Sequence, residues 1–344
     1  MENEVMPDQY LLETTDLYKW FPRRGGFLNR TVSHLRAVDG VSIGVKRGET
    51  LGLVGESGCG KTTLGRTIMR LTEPTKGKVV FDGTDISLLK GRKLKPFRKN
   101  MQIVFQDPYA SLDPRQSIRS AVLEPIRIHH MASSRKEADE VAQKALQRVG
   151  LNPDHLSRFP HEFSGGQRQR IAVAIALAVE PSFLVLDEPT SSLDVSVQAQ
   201  ILSLLRALQR DMGLTYLFIS HNLAVIKQMC DRTAVMYLGR VVELAPTEKL
   251  FQNPKHPYTK ALLSSVPLPD PSKRKQLAAL QGDVPSPVDI PEGCRFEGRC
   301  PFGTEKCRAY APPFVEVEKD HWIECHYDID FGKKSQVELA PQAA

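Results

Sequence analysis

The chain has no apolar run long enough to cross a bilayer. Roughly 18–20 consecutive apolar residues are needed for that. The most apolar stretch, Ile171 to Leu186, is broken by Glu180 and Pro181 and reads as a buried helix, a turn and a core strand. A secretory leader is not expected either, because Met1 to Glu13 is acidic and lacks an apolar segment. These absences point to a cytoplasmic protein, unless a partner carries it to a membrane. There is no internal repeat and no concentrated basic stripe. The net charge of +6 over 344 residues is spread out, which argues against nucleic-acid binding. The densest basic run, Lys90 to Lys99, reads as a solvated loop or helix face, with contact to a nucleotide, membrane or partner as the other reading.

Cysteine is scarce until the end. Only Cys59 and Cys230 precede Cys294, and then Cys294, Cys300, Cys307 and Cys325 fall within one window. Even scatter would put about 0.6 cysteines in such a window, so chance is a poor account of four. A cytoplasmic setting argues against disulfides.

Strand and helix patterns alternate along the first two-thirds. Ala37 to Val45, Thr50 to Val54, Lys78 to Asp82, Met101 to Phe105, Phe183 to Leu186, Leu214 to Ile219 and Ala234 to Leu238 read as strands. Lys61 to Arg70, Ile118 to His129, Arg135 to Val149, Gly166 to Ala178, Ser196 to Asp211 and Leu223 to Met229 read as helices. This alternation predicts an α/β fold with a mostly parallel, covered sheet. The helical insertion between Gln106 and Asp187 is too long for a loop and is expected to be a subdomain, about 107–180. Three parts follow: 1–252, a proline-rich linker and cysteine region over 253–330, and a disordered tail over 331–344.

Two places suit phosphate. Gly55-Glu56-Ser57-Gly58-Cys59-Gly60-Lys61-Thr62, with Thr63 after it, fits G-x-x-x-x-G-K-[ST] between a strand and a helix. Glycine lets the backbone bend around phosphate oxygens. Lys61 is expected to reach the β- and γ-phosphates, and Thr62 to place its hydroxyl on Mg²⁺. About a hundred residues later, Ser164-Gly165-Gly166-Gln167 opens a helix. Unpaired first-turn amides and the helix dipole make such an end an anion site. Phe183 to Leu186 then leads into Asp187 and Glu188. Asp187 suits the Mg²⁺ shell and Glu188 the polarising of an attacking water. A turn or helix cap is the plain alternative for this pair. Tyr18, Trp20 and Phe21 precede the cradle as candidates to stack on adenine, with Phe21 favoured. Packing at the sheet edge is the other reading for these rings.

Together these motifs resemble the ATP-binding cassette (ABC) family, in which Phe163-Ser164-Gly165-Gly166-Gln167 is a variant of the signature. The resemblance implies a P-loop NTPase nucleotide-binding domain with a RecA-like core, an antiparallel β subdomain and a helical subdomain, followed here by a small C-terminal cysteine-rich domain. It makes Gln106 the glutamine that touches Mg²⁺ or water, His221 the switch histidine on the γ-phosphate, and Ser191 to Asp194 the loop that crosses to a partner domain. It also implies a site completed by two copies, with Ser164 to Gln167 of one capping ATP held by the other. Met101 to Arg115, Glu188 to Gln200 and the His256-Pro257-Tyr258-Thr259 string look like the ATPase subunits of dipeptide/oligopeptide permeases, especially the F-type member. One departure is Asn222, where Asp is usual; either residue caps a helix.

Under that resemblance the expected partners are a second ATPase subunit of paralogous sequence, two transmembrane permease subunits and an external substrate-binding protein. The expected location is the cytoplasmic face of the inner membrane, held peripherally. Relatives are taken to hold a [4Fe–4S] cluster on the four late cysteines. Zn²⁺ and free thiols stay open as alternatives, because thiolates suit either metal and no paired C-x2-C knuckle is present. A soluble ABC ATPase of translation or DNA repair is the competing function, but this chain has one cassette and no long coiled-coil insertion.

Overall fold

The computed structural model describes residues 10–25, 30–107, 112–265, 285–331 and 335–339. Pro108 to Ser111 and the prolines at 267, 269 and 271 lie outside them. The elements before residue 105 are β1 (Tyr10–Gly25), β2 (Arg30–Lys46), β3 (Thr50–Val54), α1 (Lys61–Ile68), β4 (Lys76–Phe81), β5 (Thr84–Asp85), α2 (Lys95–Asn100) and β6 (Met101–Val104). After them come α3 (Ile118–Ile128), α4 (Arg135–Arg148), α5 (Gly165–Leu177), β7 (Phe183–Asp187), α6 (Val195–Met212), β8 (Thr215–Ile219) and α7 (Leu223–Met229). The chain ends with β9 (Arg232–Tyr237), β10 (Arg240–Pro246), α8 (Thr247–Gln252), α9 (Pro257–Ser264), α10 (Glu305–Ala309), β11 (Phe314–Glu318), β12 (His321–Glu324), β13 (Tyr327–Asp330) and β14 (Ser335–Glu338). They form two compact units.

The first unit comprises Met1–Glu13, Gly44–Thr50 and Val80–Ile219. Its β6, β7 and β8 run parallel, with Met101 opposite Phe183 and Phe183 opposite Thr215. Every residue of β7 and β8 is buried, as expected of strands covered on both faces. Among the described residues between β6 and β7 the regular elements are helical, α3, α4 and α5 the longest of them. Serines start these helices. Ser117 accepts from the Ser120 amide and Ser134 from the Glu137 amide, each satisfying a first-turn donor that the helix leaves unpaired. The α6 helix ends at Gly213, which takes a left-handed conformation at φ 65°.

The second unit comprises Thr14–Ile43, Leu51–Val79 and Ser220–Ala344. Here β3 pairs parallel with β9, Leu51 opposite Arg232. The remaining neighbours are antiparallel: β9 with β10, β10 with β12, and β12 with β11. The sheet is therefore mixed, and the expectation of a mostly parallel sheet holds only for β3, β6, β7, β8 and β9. Residues beyond 310, expected in a cysteine-rich appendage, add β12 and β11 to the sheet that β9 and β10 begin. Ser335–Glu338, expected as tail, pairs antiparallel with β13.

A buried acid explains why β10 was not legible. Glu243 interrupts its apolar run and is fully buried at a bulge. Its carboxylate accepts from the backbone amides of Lys255 at 2.7 Å and His256 at 3.0 Å, and lies 2.7 Å from His321 Nε2. Burial lowers the His256 pKa to about 4, so its ring is neutral and accepts from the Tyr258 amide at the start of α9. One carboxylate thus ties β10, β12 and the start of α9 together. Glu243→Ala strands those donors in a dry site and should cost about 3 kcal/mol in urea unfolding; a loss under about 1 kcal/mol would show that the tie is dispensable.

Candidate functional site

The phosphate loop runs from the buried end of β3 into α1. Gly58 and Gly60 take φ of 80° and 110°, which L side chains rarely adopt. A Cβ at Gly60 would overlap the Ala37 carbonyl, so glycine is required twice over. Lys61 folds back inside the loop. Its Nζ donates to the carbonyls of Gly55 at 2.7 Å and Glu56 at 2.9 Å and lies 3.7 Å from Cys59 Sγ. Outside, the Gly239 amide donates to the Cys59 carbonyl at 2.8 Å. Cys59 is buried, which raises its thiol pKa against the lowering pull of Lys61. No side chain caps α1, because its N-cap is Gly60. The loop is shaped to receive an anion, with a lysine already turned inward.

Glu56 is held at every polar group. Its amide donates to Tyr258 Oη at 2.9 Å, and Arg299 donates to both carboxylate oxygens, at 2.8 and 3.0 Å. Local spacing gave no hint of Arg299 or Tyr258, since both lie more than two hundred residues away.

On the ring side, Trp20 Nε1 donates to Asp39 Oδ1 at 2.6 Å, and Arg36 and Lys76 lie over its ring at 5.3 and 5.4 Å. Asp39 also pairs with Arg295, whose guanidinium reaches the Leu238 carbonyl as well. Trp20 is thus engaged at its edge and flanked by cations. Phe21 is exposed, with Lys19 Nζ 4.8 Å from its ring centroid. His221 is exposed just after Ser220, whose amide donates to Leu53 O at 3.1 Å. Asn222 caps α7, accepting from Ala224 and Val225.

The other unit carries the acids. Asp187 ends β7 buried. Glu188 follows with φ 49°, a left-handed conformation that costs a non-glycine residue about 1–3 kcal/mol. Its amide donates to the Ile219 carbonyl at 2.9 Å, and its Oε2 accepts from Gln106 Nε2 at 2.9 Å. Gln106 and Glu188, far apart in sequence, therefore meet. Within this unit Asp187 and Gln106 offer a carboxylate and an amide oxygen, hard donors of the kind Mg²⁺ prefers.

The Ser164 to Gln167 run is a capping box. The Gln167 amide donates to Ser164 Oγ at 3.4 Å, and the Ser164 amide donates to Gln167 Oε1 at 3.0 Å. Serine and glutamine thus build the helix end. Gly166 has a packing reason: its Cβ would overlap Val197 of α6. Asp194 is exposed at the start of α6, and its carbonyl accepts from the Gln198 amide at 2.8 Å.

Cys294, Cys300, Cys307 and Cys325 are all free thiols lining one small cavity with His256 and His326. Burial pushes the thiols of Cys294, Cys300 and Cys325 up to about 12. The cavity has room for about one water molecule. Among the described residues no group of three or more His, Cys, Asp or Glu is arranged to hold a metal ion. The expected iron–sulfur cluster on these four cysteines, with zinc as its alternative, is corrected by that finding.

Known proteins are similar along most of the chain. A family described as "ABC transporter" matches residues 38–191, and one described as "Oligopeptide/dipeptide transporter, C-terminal region" matches 242–307. The oligopeptide transport ATP-binding protein AppF of Bacillus subtilis is 50% identical over 92% of this chain and 97% of its own. The probable peptide ABC transporter ATP-binding protein y4tS of Sinorhizobium fredii is 48% identical over 92% of this chain and 89% of its own. These descriptions lend the cluster no support. Among solved structures, the dimeric post-hydrolysis state of the ATP-binding cassette MJ0796 with ADP and Pi has TM-score 0.61 at 27% identity, covering 69% of this chain and 98% of that one.

Gly166→Ala tests the packing at the signature helix. Helix propensity alone would favour Ala by up to about 1 kcal/mol. Overlap with Val197 should reverse the sign and cost about 1–3 kcal/mol in urea unfolding. Val197→Ala should relieve most of that penalty; an unchanged penalty in the double variant would refute the contact.

Proposed function

The chain belongs to the ABC transporter family of ATP-binding proteins, and we propose that it is the ATP-hydrolysing subunit of an importer for dipeptides or oligopeptides. One observation carries the peptide reading: near-half identity to oligopeptide and peptide transport ATP-binding proteins across almost the whole chain. The phosphate loop, with Lys61 turned inward, supports the ATP reading independently.

In this reading Gly55 to Thr63 receive the β- and γ-phosphates through backbone amides and Lys61, and Phe21 stacks on adenine. Mg²⁺, when bound, neutralises phosphate charge, and Thr62, Asp187 and Gln106 are the residues to hold it. Glu188 accepts a proton from the attacking water, with Gln106 fixing its carboxylate and His221 facing the γ-phosphate. Ser164 to Gln167 and Asp194 act on the nucleotide of a second ATPase subunit, a paralogue of this one. Two transmembrane permease subunits and an external binding protein complete the importer. No helix among the described residues is long and apolar enough to cross a membrane, in keeping with a peripheral subunit on the cytoplasmic face of the inner membrane. The cassette occupies 1–252, and 253–330 is an extension that carries the four cysteines.

Glu188→Gln should bind ATP, lose roughly a hundredfold or more in turnover and trap a closed ATPase dimer. Hydrolysis near the wild-type rate would remove Glu188 as base. For the cargo, ATPase activity of the complex from its native membrane should rise when peptide-loaded binding protein is added; no response to any peptide would overturn the peptide reading.

A further inference from the structure

The phosphate loop contains an acid in a place meant for a polyanion. Glu56 follows the first glycine of the loop, and an uncompensated carboxylate there would repel the incoming phosphates. Its compensation comes from the far end of the chain. Arg299 is 243 residues away, its side chain 6% exposed, and it grips both Glu56 oxygens in the bidentate geometry that only guanidinium provides.

Arg299 is itself locked in place. Its guanidinium lies over the Tyr237 ring at 5.8 Å and the Phe296 ring at 6.0 Å, and Nη1 is 3.4 Å from Tyr237 Oη. Tyr237, Tyr258 and Phe296 pack against one another in tilted and edge-to-face contacts with centroids 4.6–5.5 Å apart. Tyr258 then accepts from the Glu56 amide. The turn that bears Arg299 is closed by backbone bonds: Glu297 N to Cys294 O, Arg299 N to Phe296 O and Cys300 N to Glu297 O. Carboxylate and amide of one loop residue are therefore fixed by the extension, while its carbonyl is fixed by Lys61.

We infer that Arg299 is a positioning residue for the nucleotide: by neutralising and orienting Glu56 it makes the phosphate loop competent to bind a nucleoside triphosphate. The inference rests on the ATP reading of the loop and goes beyond it, because it makes affinity a property of the C-terminal extension. Phosphate affinity then depends on a segment outside the cassette's own motifs, and any event that moves the 294–300 turn changes it.

The test is equilibrium binding of a fluorescent ATP analogue to the full-length chain, with urea melts run alongside. Arg299→Met keeps the aliphatic stem over the two rings and removes the charge. It should weaken binding about tenfold, with ATP turnover at saturation changed less than about threefold. Arg299→Lys, which restores charge without the fork, should recover binding to within about threefold of wild type. In a Glu56→Gln background the Arg299→Met change should cost less than about twofold, since the charge to be neutralised is gone. Binding by Arg299→Met within about twofold of wild type, a Lys variant as weak as Met, or an equal loss in both backgrounds each overturns the inference. A wild-type chain that fails to bind the analogue removes the ATP reading itself, and the inference with it.

Discussion

The ammonium of Lys61, folded onto the carbonyls of Gly55 and Glu56, is the interaction on which the nucleotide-binding unit depends. It closes the loop from within, so the loop holds its shape. Each outer support then has something rigid to bear on. The β9–β10 turn at Leu238 and Gly239 presses the Gly239 amide onto Cys59 O, and Tyr258 and Arg299 hold Glu56. A loop of glycines would otherwise pay heavily in backbone entropy to be ordered. Here order comes from charged and hydrogen-bonded groups set around it before any ligand arrives, which is the economy of a preorganised site.

The same logic runs through the acid-bearing unit. Parallel strands buried on both faces deliver Asp187 and Glu188 at a strand end, where the chain must turn and polar groups can be exposed. Glu188 sits in a left-handed conformation that its amide bond to Ile219 and its contact with Gln106 hold in place. Strain of that kind persists only where surroundings over-determine it. At the start of α5, Gly166 answers to Val197, whose side chain leaves no room for a Cβ there.

What could be read from the sequence was whatever local spacing encodes. The glycine-lysine loop between strand and helix, the apolar strand ending in two acids and the Asn222 cap all declare themselves within a dozen residues. Helix ends fell within two residues of expectation because serines, glycines and apolar periodicity mark them. What stayed hidden was long-range. Glu243 makes β10 look too polar for a core strand until Lys255, His256 and His321 close around it. Arg299 looks like one more surface cation until it is placed on Glu56. The four cysteines line one cavity, but the iron–sulfur cluster that their spacing and resemblance suggest is not supported, because among the described residues no group is arranged to hold a metal ion.

The loop around Lys61 is a nucleotide-binding site set up before its ligand comes. Titration of ATP with Mg²⁺ into the full-length chain and into Lys61→Ala, followed by calorimetry, measures it directly. Saturable binding by the wild type and an affinity lower by about tenfold or more in the variant is the predicted result, the loss expected from removing a charge-assisted donor. Equal affinity in the two proteins would contradict the account.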